Sequence, residues 1–342
     1  MSVTIGVIGI GRWGPNLLRN FHSHRTSTVA MVAERDDRRR AQIAELYPDV
    51  SVVDDADLVI DAPEIDAVAI ATPTRTHYAL VRQALLAGKH VLVEKPLTDD
   101  LATAIELEKV AEECGRVLLV GHVFLYNVGV EAVKRYLEEG ELGRPYYISM
   151  VRTNLGPIRN DVNASWDLAS HDISMANYWL DARPLSASAT GGAWINPGIV
   201  DAVFATLEYP ADVLVNLEVS WLNPRKVRDV TVVAEHKMLT LDDTNDQEPI
   251  RVYDKGVVDD RVRDEVIDTH GAFRSMVHEG EIVIPRVSLG ELLRSECDHF
   301  LDCVLQGTSP RTGAAAAVDV VRALDAIDRS MRLGGARVSV LA

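Results

Sequence analysis

Residues 166–172 read W-D-L-A-S-H-D and set Asp167 and His171 four positions apart. On a helix that spacing puts both side chains on one face, within reach of each other. A carboxylate beside an imidazole that titrates near neutrality can move a proton to or from a hydroxyl. The same residues also fit an ordinary helix start, with Ser165 as N-cap and Asp167 favouring the helix dipole. Seven residues alone leave both readings open.

A second constellation lies at the N-terminus. The stretch G-I-G-R-W-G supplies Gly9, Gly11 and Gly14, directly after the apolar run V-T-I-G-V-I and ahead of a helical pattern. In that context Gly9 permits a tight turn, Gly11 lets a pyrophosphate approach the backbone, and Gly14 lets the helix pack on the strand. Arg12 and Trp13 lie inside the loop. The helix N-terminus then favours the anion. Glu34 closes the next apolar run, twenty residues beyond Gly14. Its carboxylate can accept from the adenosine ribose hydroxyls, which favours NAD. Arg35 and the run Arg38–Arg40 would suit a 2′-phosphate, so NADP stands second.

These residues need a frame. Residues 1–122 alternate apolar runs (3–9, 28–34, 66–72, 90–95, 116–122) with helical patterns such as 77–89. Strands buried on both faces and separated by helices predict an α/β Rossmann domain with a doubly wound parallel sheet. Residues 123–342 change rhythm: one helix, then strand-like runs with few helices between them, then helical patterns near 289–305 and 314–333. That predicts an α+β domain with a large, mostly antiparallel open sheet. The charge-rich stretch 241–286 reads as long hairpin loops.

Two further motifs sit at strand ends, where open parallel sheets bind ligands. They are A-T-P-T-R-T-H (71–77) and A-G-K-H-V-L-V-E-K-P (87–96). They add Thr72, Pro73, His77, Glu94, Lys95 and Pro96 to the cofactor-binding candidates. With these spacings the chain resembles the Gfo/Idh/MocA family of oxidoreductases along essentially its whole length. The resemblance implies that Lys95 contacts both the nicotinamide ribose and the substrate hydroxyl. It also implies that Asp167 and His171 are the family's D-x-x-x-H pair, on the first helix of the second domain. His171 is then the first choice of base, with Lys95 assisting. The implied reaction moves a hydride between a ring secondary hydroxyl, most simply C3, of a sugar or nucleotide sugar and NAD(P). The stretch 161–167, D-V-N-A-S-W-D, replaces a glycine run of many relatives, and Ser170 stands where the nucleotide-sugar branch has proline. Alternatives are an NAD-dependent glycosidase with transient redox, an inositol or free-sugar dehydrogenase, and a ligand-binding protein without turnover. Family analogy also implies a homodimer or homotetramer.

Arg152, Asn154, Arg159, Asn163, Trp166 and Arg225 gather around these motifs, and the basic ones suggest an anionic group on a small-molecule substrate. His122, Tyr126 and Asn127 match a family stretch implied to face the substrate. His299 and Cys303 in C-D-H-F-L-D-C fall on an amphipathic pattern and read as buried helix residues, so no metal is expected. The net charge of −16 repels nucleic acid and anionic membranes. Three cysteines fit reduced thiols in the cytoplasm. No apolar run is long enough to span a bilayer, and no signal peptide is visible.

Overall fold

The N-terminal apolar runs are rich in Val, Ile and Ala and carry no alternation, so each strand they form is covered on both faces. The computed structural model describes residues 2–156, 158–257, 277–287 and 290–341. They fall into two compact units, residues 1–126 with 291–325, and residues 127–290 with 326–342.

The first unit holds a parallel six-stranded sheet in the order β3-β2-β1-β4-β5-β6. Its strands are β1 (Val3–Ile8), β2 (Ser27–Ala33), β3 (Ser51–Val53), β4 (Ala67–Ile70), β5 (His90–Glu94) and β6 (Leu118–Gly121). Its helices are α1 (Gly14–His22), α2 (Asp37–Leu46), α3 (Ala56–Ile60), α4 (His77–Leu86) and α5 (Leu101–Cys114). The order reverses beside β1, which makes the C-terminal ends of β1 and β4 a crevice for ligands. The expected parallel sheet is present. The sequence reading lacks β3, a three-residue edge strand whose Ser51 is exposed and whose valines are only half-buried.

The cut after residue 122 lies four residues before the end of the unit's first segment, and residues 291–325 return to that unit. Hydrophobic burial accounts for the return. Leu293, Cys297, Phe300 and Leu301 of helix α8 (Leu292–Gln306) join Ile5, Leu17 and Phe21 in one core cluster, and the Phe21 and Phe300 rings meet edge to face at 6.1 Å.

The second unit holds a nine-stranded sheet in the order β14-β13-β12-β11-β7-β10-β9-β8-β15. The strands are β7 (Pro145–Thr153), β8 (Ser186–Gly192), β9 (Ala202–Glu208), β10 (Leu214–Ser220), β11 (Val227–Ala234), β12 (Met238–Asp242), β13 (Ile250–Val257), β14 (Val277–Val283) and β15 (Val338–Ser339). Every pairing is antiparallel except β7 with β10. Strands β11 and β12 form a hairpin that turns at Glu235–Lys237. Strands β13 and β14 lie within the charge-rich stretch 241–286, on the apolar runs near 249–254 and 281–285; residues 258–276 between them lie outside the described residues. Helices α6 (Val128–Glu138) and α7 (Ser170–Leu180) belong to this unit; α7 buries Ile173, Met175, Ala176 and Trp179. Helix α9 (Ala314–Arg332) begins in the first unit and ends in the second.

Candidate active site

The glycine loop is built as its spacing demands. Gly9 has φ +90°, a conformation that disfavours any side chain. A Cβ at Gly14 would collide with the Gly9 carbonyl oxygen. At Gly11 a Cβ would meet only the Ala71 oxygen at 3.9 Å, so space is open there. Pro15 enters the first turn of α1, where its missing N–H costs nothing. Glu34 is drawn into the loop: Oε2 accepts from the Ile10 amide at 2.6 Å and Oε1 from the Asp36 amide at 2.9 Å. The carboxylate thus sits fixed at the end of β2, where a ribose hydroxyl would meet it. Arg39 stands 3.9 Å away, Arg40 donates to the Glu34 and Arg35 carbonyls, and Arg35, Arg12 and Trp13 are exposed. An open Gly11, a close-packed Gly14 and a placed carboxylate fit a dinucleotide.

The strand-end motifs are joined by His77. Its ring is buried, with Nδ1 2.9 Å from the Pro96 oxygen and Nε2 2.9 Å from the Thr72 oxygen. Thr76 donates to the Thr72 hydroxyl and the Pro73 carbonyl at 2.7 Å each. His77 therefore acts here as a tie between the two loops. Glu94 and Lys95 are half-buried, and the Lys95–Pro96 bond is cis. His122 is wholly buried near Lys95. Burial, helped by the Lys95 charge, holds its imidazole down at about 3, so it is neutral.

Tyr126 is also buried, its hydroxyl 3.4 Å from Thr312 Oγ1, and burial raises its pKa. Beneath this region α8 buries Glu296 completely, and among the described residues neither carboxyl oxygen has a hydrogen-bond partner. Burial, then the nearby Glu94 charge, pushes the Glu296 carboxyl well above its ordinary 4.5. Because the folded state holds this proton more tightly than the unfolded chain, the stability it contributes is complete below the unfolded value. That stability falls as pH rises toward the folded value. Glu296→Gln is expected to flatten this dependence. It should unfold at higher urea than the parent at pH 8, by at least about 1 kcal/mol, with the gap narrowing as pH falls and closing near pH 4, below the unfolded value. Parallel urea midpoints for both proteins across that range would contradict it.

In the second unit the opening stretch is not a simple helix start. Ser165–Ala169 forms a π-helical turn that runs into α7. Such turns are rare and cluster at functional sites. Ser165, expected as the cap, is fully buried, and Asn163 Oδ1 instead accepts from the Trp166 amide at 3.1 Å. Asp167 is held from two sides: Arg159 Nη1 donates to Oδ1 and the Trp221 indole to Oδ2, each at 3.1 Å. Arg159 also grips Asp161 through Nε and Nη2, which raises its own pKa and lowers that of Asp161. His171 is half-buried on the same stretch.

The remaining candidates separate by exposure. Asn154 and Arg225 are exposed, and Asn163 and Arg159 partly so. Arg152 is 6% exposed and places Nε and Nη2 on Asp172 Oδ1 at 2.8 and 2.7 Å, so its charge is balanced inside the unit. Burial still pushes the Asp172 carboxyl up, with Arg152 pulling against it. Asn127 is buried; it caps α6 through the Gly129 amide and donates to Asp243, both at 2.7 Å. Trp166 is buried with its indole on Asp328. Sequence reasoning missed Asp328, Glu296 and the Ile10–Glu34 bond, and none of them carries a local signal. His299 Nε2 accepts from the Arg311 amide at 2.9 Å and lies 3.5 Å from Cys303 Sγ. Among the described residues no group of His, Cys, Asp and Glu could hold a metal ion, and no helix is long and apolar enough to cross a membrane.

Two family models match the chain. Residues 3–122 match the oxidoreductase family with an NAD-binding Rossmann fold, and residues 130–240 match the GFO/IDH/MocA C-terminal domain. The chain belongs to the Gfo/Idh/MocA family. It is an NAD-dependent oxidoreductase of that family. UDP-N-acetylglucosamine 3-dehydrogenase of Acidithiobacillus ferrooxidans is 26% identical, over 94% of this chain and 97% of that one. The scyllo-inositol 2-dehydrogenase (NAD(+)) of Bacillus subtilis is 27% identical, over 90% and 88%. Among solved structures, one from Magnetospirillum magnetotacticum MS-1 superposes with a TM-score of 0.80 at 28% identity, covering 95% of this chain and 99% of that one.

Proposed function

We propose that this oxidoreductase acts on a ring secondary hydroxyl of a nucleotide sugar, at C3. The observation that carries the reading is the π turn, which sets a fixed Asp167 carboxylate and His171 on one stretch of chain. Bound NAD supplies the acceptor for the hydride. His171 takes the hydroxyl proton, since an imidazole can hold and release one near neutral pH. Asp167, hydrogen-bonded by Arg159 and the Trp221 N–H, places its carboxylate on the same stretch and favours the imidazolium that results. Lys95, in the E-K-P segment, assists at the hydroxyl oxygen. Gly9, Gly11, Gly14 and Glu34 are assigned to the dinucleotide, and exposed Arg225 to an anionic part of the substrate. Likeness to the UDP-N-acetylglucosamine enzyme supports the nucleotide sugar. A second reading, an inositol dehydrogenase, has similar support from the Bacillus enzyme.

The test is a substrate panel. Purified protein with NAD or NADP meets UDP-N-acetylglucosamine, its uronic acid, UDP-glucose, free sugars and inositols, and reduced-nicotinamide absorbance is followed. Reduction with a UDP-sugar and NAD is expected. Reduction with inositols alone selects the second reading. Glycosidic cleavage without net reduction would overturn both.

A further inference from the structure

The turn that carries Asp167 has little to hold it locally. Ala164 and Ala169, at the caps of the π turn and of α7, offer no side-chain hydrogen bond. A π turn is also less favourable than the α-helix it replaces, so it persists where other contacts fix it. Those contacts converge on one carboxylate. Asp328, on α9, accepts from Asn163 Nδ2 on Oδ1 at 3.0 Å and from the Trp166 indole on Oδ2 at 2.8 Å. Asn163 in turn accepts at Oδ1 from the Trp166 amide at 3.1 Å and from Ser165 Oγ at 2.6 Å, and its carbonyl accepts from the Asp167 amide at 3.2 Å. The Ala164 amide, donating to the Val200 oxygen at 2.9 Å, ties the entry to the turn. One charged group, more than 160 residues away in sequence, thus holds the entry to the turn at two points, Asn163 and Trp166.

We propose that Asp328 is a positioning residue for the Asp167–His171 pair. It sets the phase of the turn through the Trp166 indole and the Asn163 amide, and so fixes where the Asp167 carboxylate points. A carboxylate suits this task because both oxygens accept, and charge-assisted hydrogen bonds are stronger than neutral ones. The proposal rests on the assignment of His171 and Asp167 to proton transfer.

Asp328→Asn is nearly isosteric but turns one acceptor into a donor, so it must face either the indole N–H or the Asn163 amide with a like group. Trp166→Phe removes the same indole bond from the other side. Two readouts are taken on each. The first is amide hydrogen exchange across residues 163–172 of the unliganded protein. The second is turnover of the panel's best alcohol, with the primary isotope effect on substrate deuterated at the oxidised carbon. Exchange in 163–172 is expected to rise tenfold or more while the rest of the second unit keeps its protection. The kcat should fall about tenfold with little change in the KM for NAD, the isotope effect should rise, and the double variant should be no worse than the poorer single. Unchanged exchange at 163–172, or parental kcat and isotope effect in both variants, overturns the proposal. Loosening spread across the second unit does so too, since it marks a general structural role. Should Asp328→Asn fail to fold, Trp166→Phe decides alone by the same two readouts. His171→Asn separates the readings: normal turnover there sinks the proton-transfer assignment and this proposal with it, whereas a dead His171→Asn beside fully active Asp328→Asn and Trp166→Phe sinks this proposal only.

Discussion

His171→Asn is expected to lower kcat by about 10²- to 10⁴-fold, the range typical of losing a general base. Asparagine keeps the length and polarity of the side chain but has no proton affinity near neutrality. The loss should therefore fall on the chemical step, and NAD affinity should stay within about twofold because the glycine loop and Glu34 are untouched. The acid limb of the kcat/KM profile should flatten. Lys95→Met tests the partner: if the lysine assists and the histidine accepts, both variants are slow and only His171→Asn loses that limb. Asp167→Asn should fall between them and the parent: the charge that favours the imidazolium is gone and the new amide faces either Arg159 or the Trp221 indole with a like donor, while the Asp328 contacts to Asn163 and Trp166 remain. Stopped-flow absorbance of reduced nicotinamide measures each rate. A His171→Asn variant with parental kcat, beside an inactive Lys95→Met, would move the proton to Lys95.

The residues legible in the sequence share a property: their geometry is set by neighbours along the chain. Gly9, Gly11 and Gly14 are one loop between a strand and a helix, so spacing alone predicts their shape. The valine and isoleucine runs of β1, β2, β4, β5 and β6 announce two-sided burial without reference to anything distant. What escaped reading is set by distant chain. Edge strand β3 is three residues long and is fixed by pairing with β2. The return of α8 depends on Phe300 finding Phe21, nearly three hundred residues earlier. Ser165 has the type of an N-cap, yet tertiary packing buries it and hands the capping to Asn163, itself held by Asp328. Arg152 looked like an anion ligand because its partner, Asp172, is twenty residues away on another element. Charge in a sequence shows that a group is ionisable; only the fold shows whether it has already been paired.

The glycine loop offers the second large effect, because two of its glycines do different work. At Gly14 an added methyl would collide with the Gly9 carbonyl oxygen and lie 2.9 Å from its carbon. Neither can retreat easily. Gly9 is held by its amide on the Ala33 oxygen at 2.8 Å, and its own position is crowded by Thr72 and the Ala71 carbonyl. Gly14→Ala must therefore push α1 off β1, where Leu17, Leu18 and Phe21 are fully buried. A cost of about 3 kcal/mol or more is expected, in the range seen for core overpacking and backbone strain. Gly11 has no such neighbour: its Cβ would meet only one atom, at 3.9 Å, and its φ is not positive. Gly11→Ala should leave stability within about 1 kcal/mol of the parent. Yet its methyl would stand where a pyrophosphate must approach the backbone, so NAD should bind about 100-fold more weakly or worse. Urea unfolding of the unliganded proteins and calorimetric NAD titration separate the two costs. Gly14→Ala should fail both, and Gly11→Ala only the second. If Gly11→Ala binds NAD as the parent does, the pyrophosphate does not lie over this glycine, and the assignment of the loop falls with it.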